Sequence, residues 1–211
     1  MTILGSLLVF LLAAFTTGCG SSLRAGGELQ PGRYALHRGD QKSALAHFQR
    51  AAEIDPNYVT DFTLLKQGVW TYVGRAYYDA GNYAEARKAF ERASSLHPDD
   101  YMADLYLGLA LLREGNRDAG QKEVASGLRG LASWLEYVDA YHDDGRYWDP
   151  SRIIRTQIDE DLRFMSGKEI NPKDIIARGE RIGEKMEREI DMAPVRWRRD
   201  LRNSDGRTDN N

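Results

Sequence analysis

Residues 70–98 read WTYVGRAYYDAGNYAEARKAFERASSLHP, and this stretch decides the fold. Trp70, Gly74, Tyr77, Tyr83, Ala86, Phe90 and Ala93 recur at intervals of three and four, except across a turn signal at Gly81-Asn82. That is the pattern of two amphipathic helices joined by a short connection. Pro98 stops the second helix, because its ring cannot continue one. Gly74 and Ala86 stand where the paired helices approach closely, and Trp70, Tyr77, Tyr83 and Phe90 fill the space beside them. Such a unit cannot bury its apolar face alone, so the pattern calls for stacked neighbours.

In spacing and residue type, Trp70, Gly74, Tyr77, Gly81, Tyr83, Ala86, Phe90, Ala93 and Pro98 resemble a tetratricopeptide repeat. Two weaker copies flank it. Upstream, Gly39, Ala44, Phe48, Ala51 and Pro56 reproduce the second half, leaving Tyr34 to Arg38 as a short, degenerate first helix. Downstream, Leu107, Gly108, Leu111 and Gly115 match a first helix, while Gly120, Val124 and Gly127 replace the usual Ala, Phe and Ala. The interval from Pro56 to Trp70 is longer than a direct repeat requires, which implies an early-starting helix or an apolar insert. Capping chemistry near Asn57 to Thr60 and the helical spacing of Phe62, Leu65, Val69 and Val73 favour the early helix. The resemblance implies an all-α helix-turn-helix superhelix of about three units over residues 31–132, and a protein-binding function.

Tetratricopeptide proteins line their concave groove mainly with the first helix of each unit. Carried over, that pattern places Thr71, Arg75, Tyr78 and Asp79 in the groove, with Arg75 and Tyr78 as partner contacts. The third unit contributes Met102, Leu105 and Leu109, a stripe too apolar to leave in water. Either a partner helix or the chain's own C-terminal region must cover it, and the amphipathic character of that region favours self-coverage.

A long helix is expected from about Asp118 to Asp143, ended by Gly145. Asp149-Pro150 and Asn171-Pro172 each offer an N-cap followed by proline at the first helical position, opening two further amphipathic helices. Residues 133–193 therefore read as a helical cap on the array, and residues 194–211 as a disordered polar tail. The basic run Val195 to Arg202, with Trp197, reads as a solvated terminus, anionic lipid or an acidic partner being the alternatives.

At the other end, Leu7 to Phe15 is an apolar run too short to span a membrane, followed by small residues, so residues 1–18 read as a secretory signal peptide. Cys19 is the sole cysteine of the chain, so no intramolecular disulfide can form. Its position resembles the lipobox of bacterial lipoproteins, which implies lipidation at Cys19, a flexible tether over residues 19–30 and, with Gly20 following, an outer-membrane anchor facing the periplasm. The partners implied are an envelope protein or peptide segment and the membrane, with homo-oligomers possible for a repeat array. A formal charge of −3 gives no argument for nucleic acid.

Catalytic signals are lacking. His37, His47, His97 and His142 are scattered, no cysteine pair or His-Glu-x-x-His spacing suggests a metal, and neither a phosphate-cradling loop nor a serine elbow occurs. His142-Asp143-Asp144 reads as a solvated helix end. No cofactor is expected. The functional reading is a membrane-anchored scaffold; the alternative is a ligand-binding accessory of a transporter, with a pocket around Met102, Leu105, Leu109 and Trp134.

Overall fold

A computed structural model describes residues 18–60, 62–167 and 169–208. The apolar leader lies outside the described residues. Those that are described form an all-α superhelix: α1 (Gly18–His37), α2 (Gln41–Ile54), α3 (Val69–Asp79), α4 (Tyr83–Leu96), α5 (Tyr101–Arg113), α6 (Arg117–Tyr141), α7 (Ile153–Met165) and α8 (Pro172–Thr208), with a 3₁₀ turn at Gly145–Tyr147. Helices α1–α6 pack each on the next; α7 lies on α6, and α8 returns across α5, α6 and α7.

The three helix pairs share one register. Gly32, Gly74 and Gly108 each precede by seven residues a turn glycine, Gly39, Gly81 and Gly115, with φ of +74°, +77° and +88°. These left-handed conformations are strained for any side chain. Asp40, Asn82 and Asn116 then take the N-cap positions of α2, α4 and α6. Sixteen residues after each first glycine comes its packing partner: Phe48, Phe90 and Val124. A Cβ on Gly74 would stand 2.5 Å from the Phe90 ring, and one on Gly108 would stand 2.7 Å from the Gly120 carbonyl oxygen. Ala44, Ala86, Ala51 and Ala93 are completely buried at the same seams.

The first unit is therefore complete, not degenerate. Its first helix is α1, and the stretch expected to be a flexible tether is helical from Gly18, with Ala25 and Leu29 fully buried. Its glycines are contact points: Gly26 faces the Tyr58 hydroxyl and Gly32 the Phe48 ring. The expected early helix after Pro56 is absent. An insert takes its place, closed by paired hydrogen bonds from Thr60 N–H to the Gln67 carbonyl (2.9 Å) and from Val69 N–H to the Tyr58 carbonyl (2.8 Å). This insert lengthens the interval from Gly32 to Gly74 to 42 residues, against 34 from Gly74 to Gly108. Leu65 drops from the insert into the core, 2% exposed.

No proline occupies the place of Pro56 and Pro98 in the third unit, so α6 runs straight through the expected boundary between array and cap at residue 132. Two other boundaries move, and one holds. Asp149 caps α7 from a distance, its carboxylate accepting from the Ile154 and Arg155 N–H groups at 2.9 and 3.0 Å, so the helix begins at Ile153 and not at Pro150. Asn171 accepts from Lys173 N–H at 3.0 Å and starts α8 where expected. The expected disordered tail is helical through Pro194 to Thr208. It is held past the proline by Arg196, which donates to the Tyr147 carbonyl (2.8 Å) and pairs with Glu189, and by Asp200, which accepts from the Tyr147 hydroxyl.

Gly108→Ala should cost about 1–3 kcal/mol, because the added methyl meets backbone that cannot rotate away. In contrast, Gly27→Ala, with open space around its Cβ, should stabilise by about 0.5–1 kcal/mol. Urea unfolding monitored by circular dichroism distinguishes the two; equal effects would mean the register is wrong.

Candidate partner-binding groove

α8 packs over much of the surface expected to be a groove: Arg75 and Tyr78 meet its carboxylates, and Leu105 and Leu109 meet its Gly179. Met102, Leu105 and Leu109 are fully buried. Gly179 and Gly183 let α8 descend onto α5: a Cβ on Gly179 would stand 2.8 Å from Leu109 Cδ2, and one on Gly183 would collide with the Tyr106 ring. Ile175, Ile182, Met186 and Ile190 complete the seam. The pocket expected around Met102, Leu105 and Leu109 is thus solid core, and self-coverage is the arrangement adopted. The sequence-based assignment of these three residues as a free partner surface is corrected accordingly.

Thr71 is structural as well. Its hydroxyl donates to Asp100 Oδ2 (2.5 Å), which also accepts from Gly68 N–H (2.7 Å), while Asp100 Oδ1 accepts from Ala103 N–H (3.0 Å). One carboxylate thereby caps α5 and ties the second unit to the third. Burial pushes its pKa up to about 6, against the pull of those three donors.

Along the seam, charge meets charge. Arg75, 7% exposed, donates through Nη1 to Glu187 Oε1 at 3.0 Å, and its guanidinium lies 4.2 Å from the Tyr106 ring centroid. Arg33, 5% exposed, places Nη2 3.6 Å from Glu187 Oε2 and 2.9 Å from Asp191 Oδ1. Gln67 Nε2 donates to the same Glu187 Oε1 at 3.3 Å. Farther along, the Tyr78 hydroxyl donates to Glu180 Oε1 (2.6 Å), which Arg113 Nη2 reaches at 2.8 Å. Asp79 stands exposed at the rim.

Burial works against the charge on both Arg75 and Arg33. Around Arg75, Tyr106, Glu187 and Asp79 outweigh it; around Arg33, Tyr72, Glu187 and Asp191 do, so both guanidiniums are held above their ordinary range. The Tyr78 hydroxyl is pushed up, first by burial and then by Glu180. Of this network the sequence reading identified Arg75 and Tyr78. It missed Arg33, Gln67, Arg113, Glu180, Glu187 and Asp191. The available signal was the run Glu180, Glu184, Glu187, Asp191, whose four- and three-residue spacing puts carboxylates on one edge of α8 beside its apolar stripe.

Residues 74–120 match the family model of the tetratricopeptide repeat. That match runs from within α3 across α4 and α5 into α6. A curated relative, superkiller protein 3 of Schizosaccharomyces pombe, is 35% identical over 82 residues, which are 39% of this chain and 5% of that protein. The chain thus spans a small fraction of the relative's length. Tetratricopeptide units are in general interaction modules without catalysis. Among the described residues no three His, Cys, Asp or Glu side chains gather where they could hold a metal.

Crevices stay open beside the surface that α8 covers. A crevice of about 630 Å³ lies between α2, α3 and α4, with Trp70, Tyr77 and Gln49 in its wall and the Arg92 guanidinium 3.8 Å from the Trp70 ring centroid. A second, of about 380 Å³, runs between the insert and α6 past Leu64, Tyr101, Trp134 and Tyr137. Tyr137 is 54% exposed there, its ring centroid 5.2 Å from that of Tyr141, which is 76% exposed.

Glu187→Ala would leave two buried guanidiniums facing each other, and should destabilise by about 3–5 kcal/mol. Asp191→Ala, which removes a half-exposed carboxylate and leaves Glu187 beside Arg33, should cost clearly less. Chemical denaturation of both variants checks the contrast, and near-equal losses would contradict the geometry.

Proposed function

We propose that this protein is a lipid-anchored scaffold of the bacterial cell envelope, held at the outer membrane through Cys19 and binding another envelope protein in assembly or secretion. The observation that carries the reading is the array of three tetratricopeptide units, an architecture that stacks without chemistry and presents extended faces to other proteins. The anchor rests on the sequence: an apolar run, small residues and the single cysteine beside Gly20. None of the described helices is long and apolar enough to cross a membrane, so a covalent lipid would supply the attachment.

Anchoring and fold fit each other in one respect. Cys19 lies six residues before the buried Ala25 within α1, about 9 Å along a helix. The lipid would then hold the body close against the bilayer, with the first unit nearest to it. Leu23 is 76% exposed on this end and free to meet the membrane interface. Partner contact falls to the open faces, where Trp70, Tyr77, Trp134 and Tyr137 supply the aromatic anchors common at interface centres.

Two experiments test the reading. Cys19→Ser should abolish incorporation of radiolabelled palmitate and release the protein from the membrane fraction; unchanged labelling would remove the anchor. Photo-crosslinkers at Tyr77 and Tyr137 in the bacterium should each recover one envelope protein above background, and recovery of nothing at either position would contradict the scaffold.

A further inference from the structure

We infer that the outer face of α8, joined by the start of α7, docks on the anionic headgroup layer of a lipid bilayer. The contact is separate from the proposed anchor at Cys19 and goes beyond it.

The carboxylates of α8 are turned inward and the cations outward. Glu180, Glu187, Glu189, Asp191 and Asp200 are each spent on arginines, and Glu184 lines the crevice beside Arg75 and Tyr78. On the other side Arg181, Lys185 and Arg188 follow one another at four and three residues, a spacing that sets them along one edge of the helix. Arg199 continues that edge eleven residues beyond Arg188, about three turns on, and Arg202 follows it. Among the described residues none of these five cations takes part in the ion pairs that hold α8.

Apolar side chains stand among them. Met192, four residues after Arg188 on the same edge, is 44% exposed, and Ile153, the first residue of α7, is 59% exposed. The two share the wall of a crevice of about 300 Å³ that Lys185 and Arg188 also line. Ile153 is held out by a built turn. Asp149 and Arg152 take left-handed backbone, with φ of 48° and 55°, and among the described residues they are the non-glycine positions that do. The buried Asp149 carboxylate fixes the turn through the Ile154 and Arg155 N–H groups, while its own N–H donates to Glu189 Oε2 at 3.1 Å. Strained backbone that its surroundings enforce is a feature of functional sites, and here it presents an isoleucine to solvent. The carboxylates lining the crevice, Asp149 and Glu189, are engaged in that turn and with Arg196, so the cations at its rim set the local field.

A lipid surface meets both kinds of group at once. Its phosphates take the cations, and the acyl boundary beneath takes Ile153 and Met192, with the Lys and Arg stems lying along the apolar surface as their heads reach outward. A nucleic acid would satisfy the cations and leave both apolar side chains in water.

The test uses the full chain with Cys19→Ser, which removes the site of lipidation and leaves the protein free of cysteine. Flotation with vesicles should show tighter binding to phosphatidylcholine containing phosphatidylglycerol than to phosphatidylcholine alone, weakening as salt is raised. The apolar leader is common to every sample, so the readout is the difference between vesicles and between variants. Lys185→Glu combined with Arg188→Glu should lower affinity for the anionic vesicles by about tenfold or more, with circular dichroism unchanged. A polarity-sensitive dye attached through Ile153→Cys should shift to the blue on anionic vesicles. The same dye attached through Leu96→Cys, exposed on α4, which α8 does not touch, should not shift. Equal binding to both vesicles, indifference to the charge reversal, or an unshifted dye at position 153 overturns the inference. So does polyglutamate binding as tightly as the anionic vesicles, which would mark an acidic protein as the partner. Failure here alongside palmitate labelling of the native chain would leave the anchored scaffold standing and remove only this inference.

Discussion

A carboxylate taken out of water needs opposite charge around it, and Glu187 finds two guanidiniums, Arg33 and Arg75, drawn from separate repeat units. The position of the C-terminal half depends on that requirement. With Glu187 placed, Asp191 falls on Arg33, Glu180 on Arg113 and Tyr78, and the glycines at 179 and 183 on Leu109 and Tyr106. Apolar burial alone could seat an amphipathic helix in the groove in several registers. The charged contacts select one, at a desolvation cost that the paired hydrogen bonds must offset. The groove of a binding module is thereby turned into part of the core.

The array beneath it was legible because its constraints are local. A turn glycine seven residues after a packing glycine, a cap residue next, and a large side chain nine residues on from the turn: each is a requirement of backbone geometry or close packing that only a few residue types meet. Where Val124 replaces Phe and Gly127 replaces Ala, the register survives because the helices still approach closely. Gly26 and Gly27 fell in the expected tether, since glycines near a leader suggest flexibility, yet Gly26 is a point where α1 touches Tyr58, and Gly32, just beyond that tether, is one where it touches Phe48. Composition cannot separate a loose glycine from a crowded one; the sixteen-residue offset to Phe48 could have.

The candidate site was half legible. Arg75 and Tyr78 came from the resemblance to the tetratricopeptide pattern, and self-coverage from the excess apolarity of Met102, Leu105 and Leu109. Their partners came from more than a hundred residues away, and nothing local marks Glu187 as buried: a helix with alternating Glu and Arg reads as a solvated face until a second surface carries matching charge. Likewise, Pro194 stops a helix by local rules, whereas Arg196 and Asp200 reach the 3₁₀ turn and keep this one going. The insert between Pro56 and Trp70 escaped because its apolar residues have helical spacing, although Leu65 serves the core from a loop.

The central claim is that α8 lies in the concave groove of a three-unit array, and hydrogen–deuterium exchange of the intact protein in solution tests it most directly. Amides of residues 179–190 should exchange as slowly as those of α5, with residues 198–203, all exposed, exchanging much faster. Uniformly fast exchange along α8, with α3 and α5 unprotected on their concave side, would show the groove to be open and contradict the account.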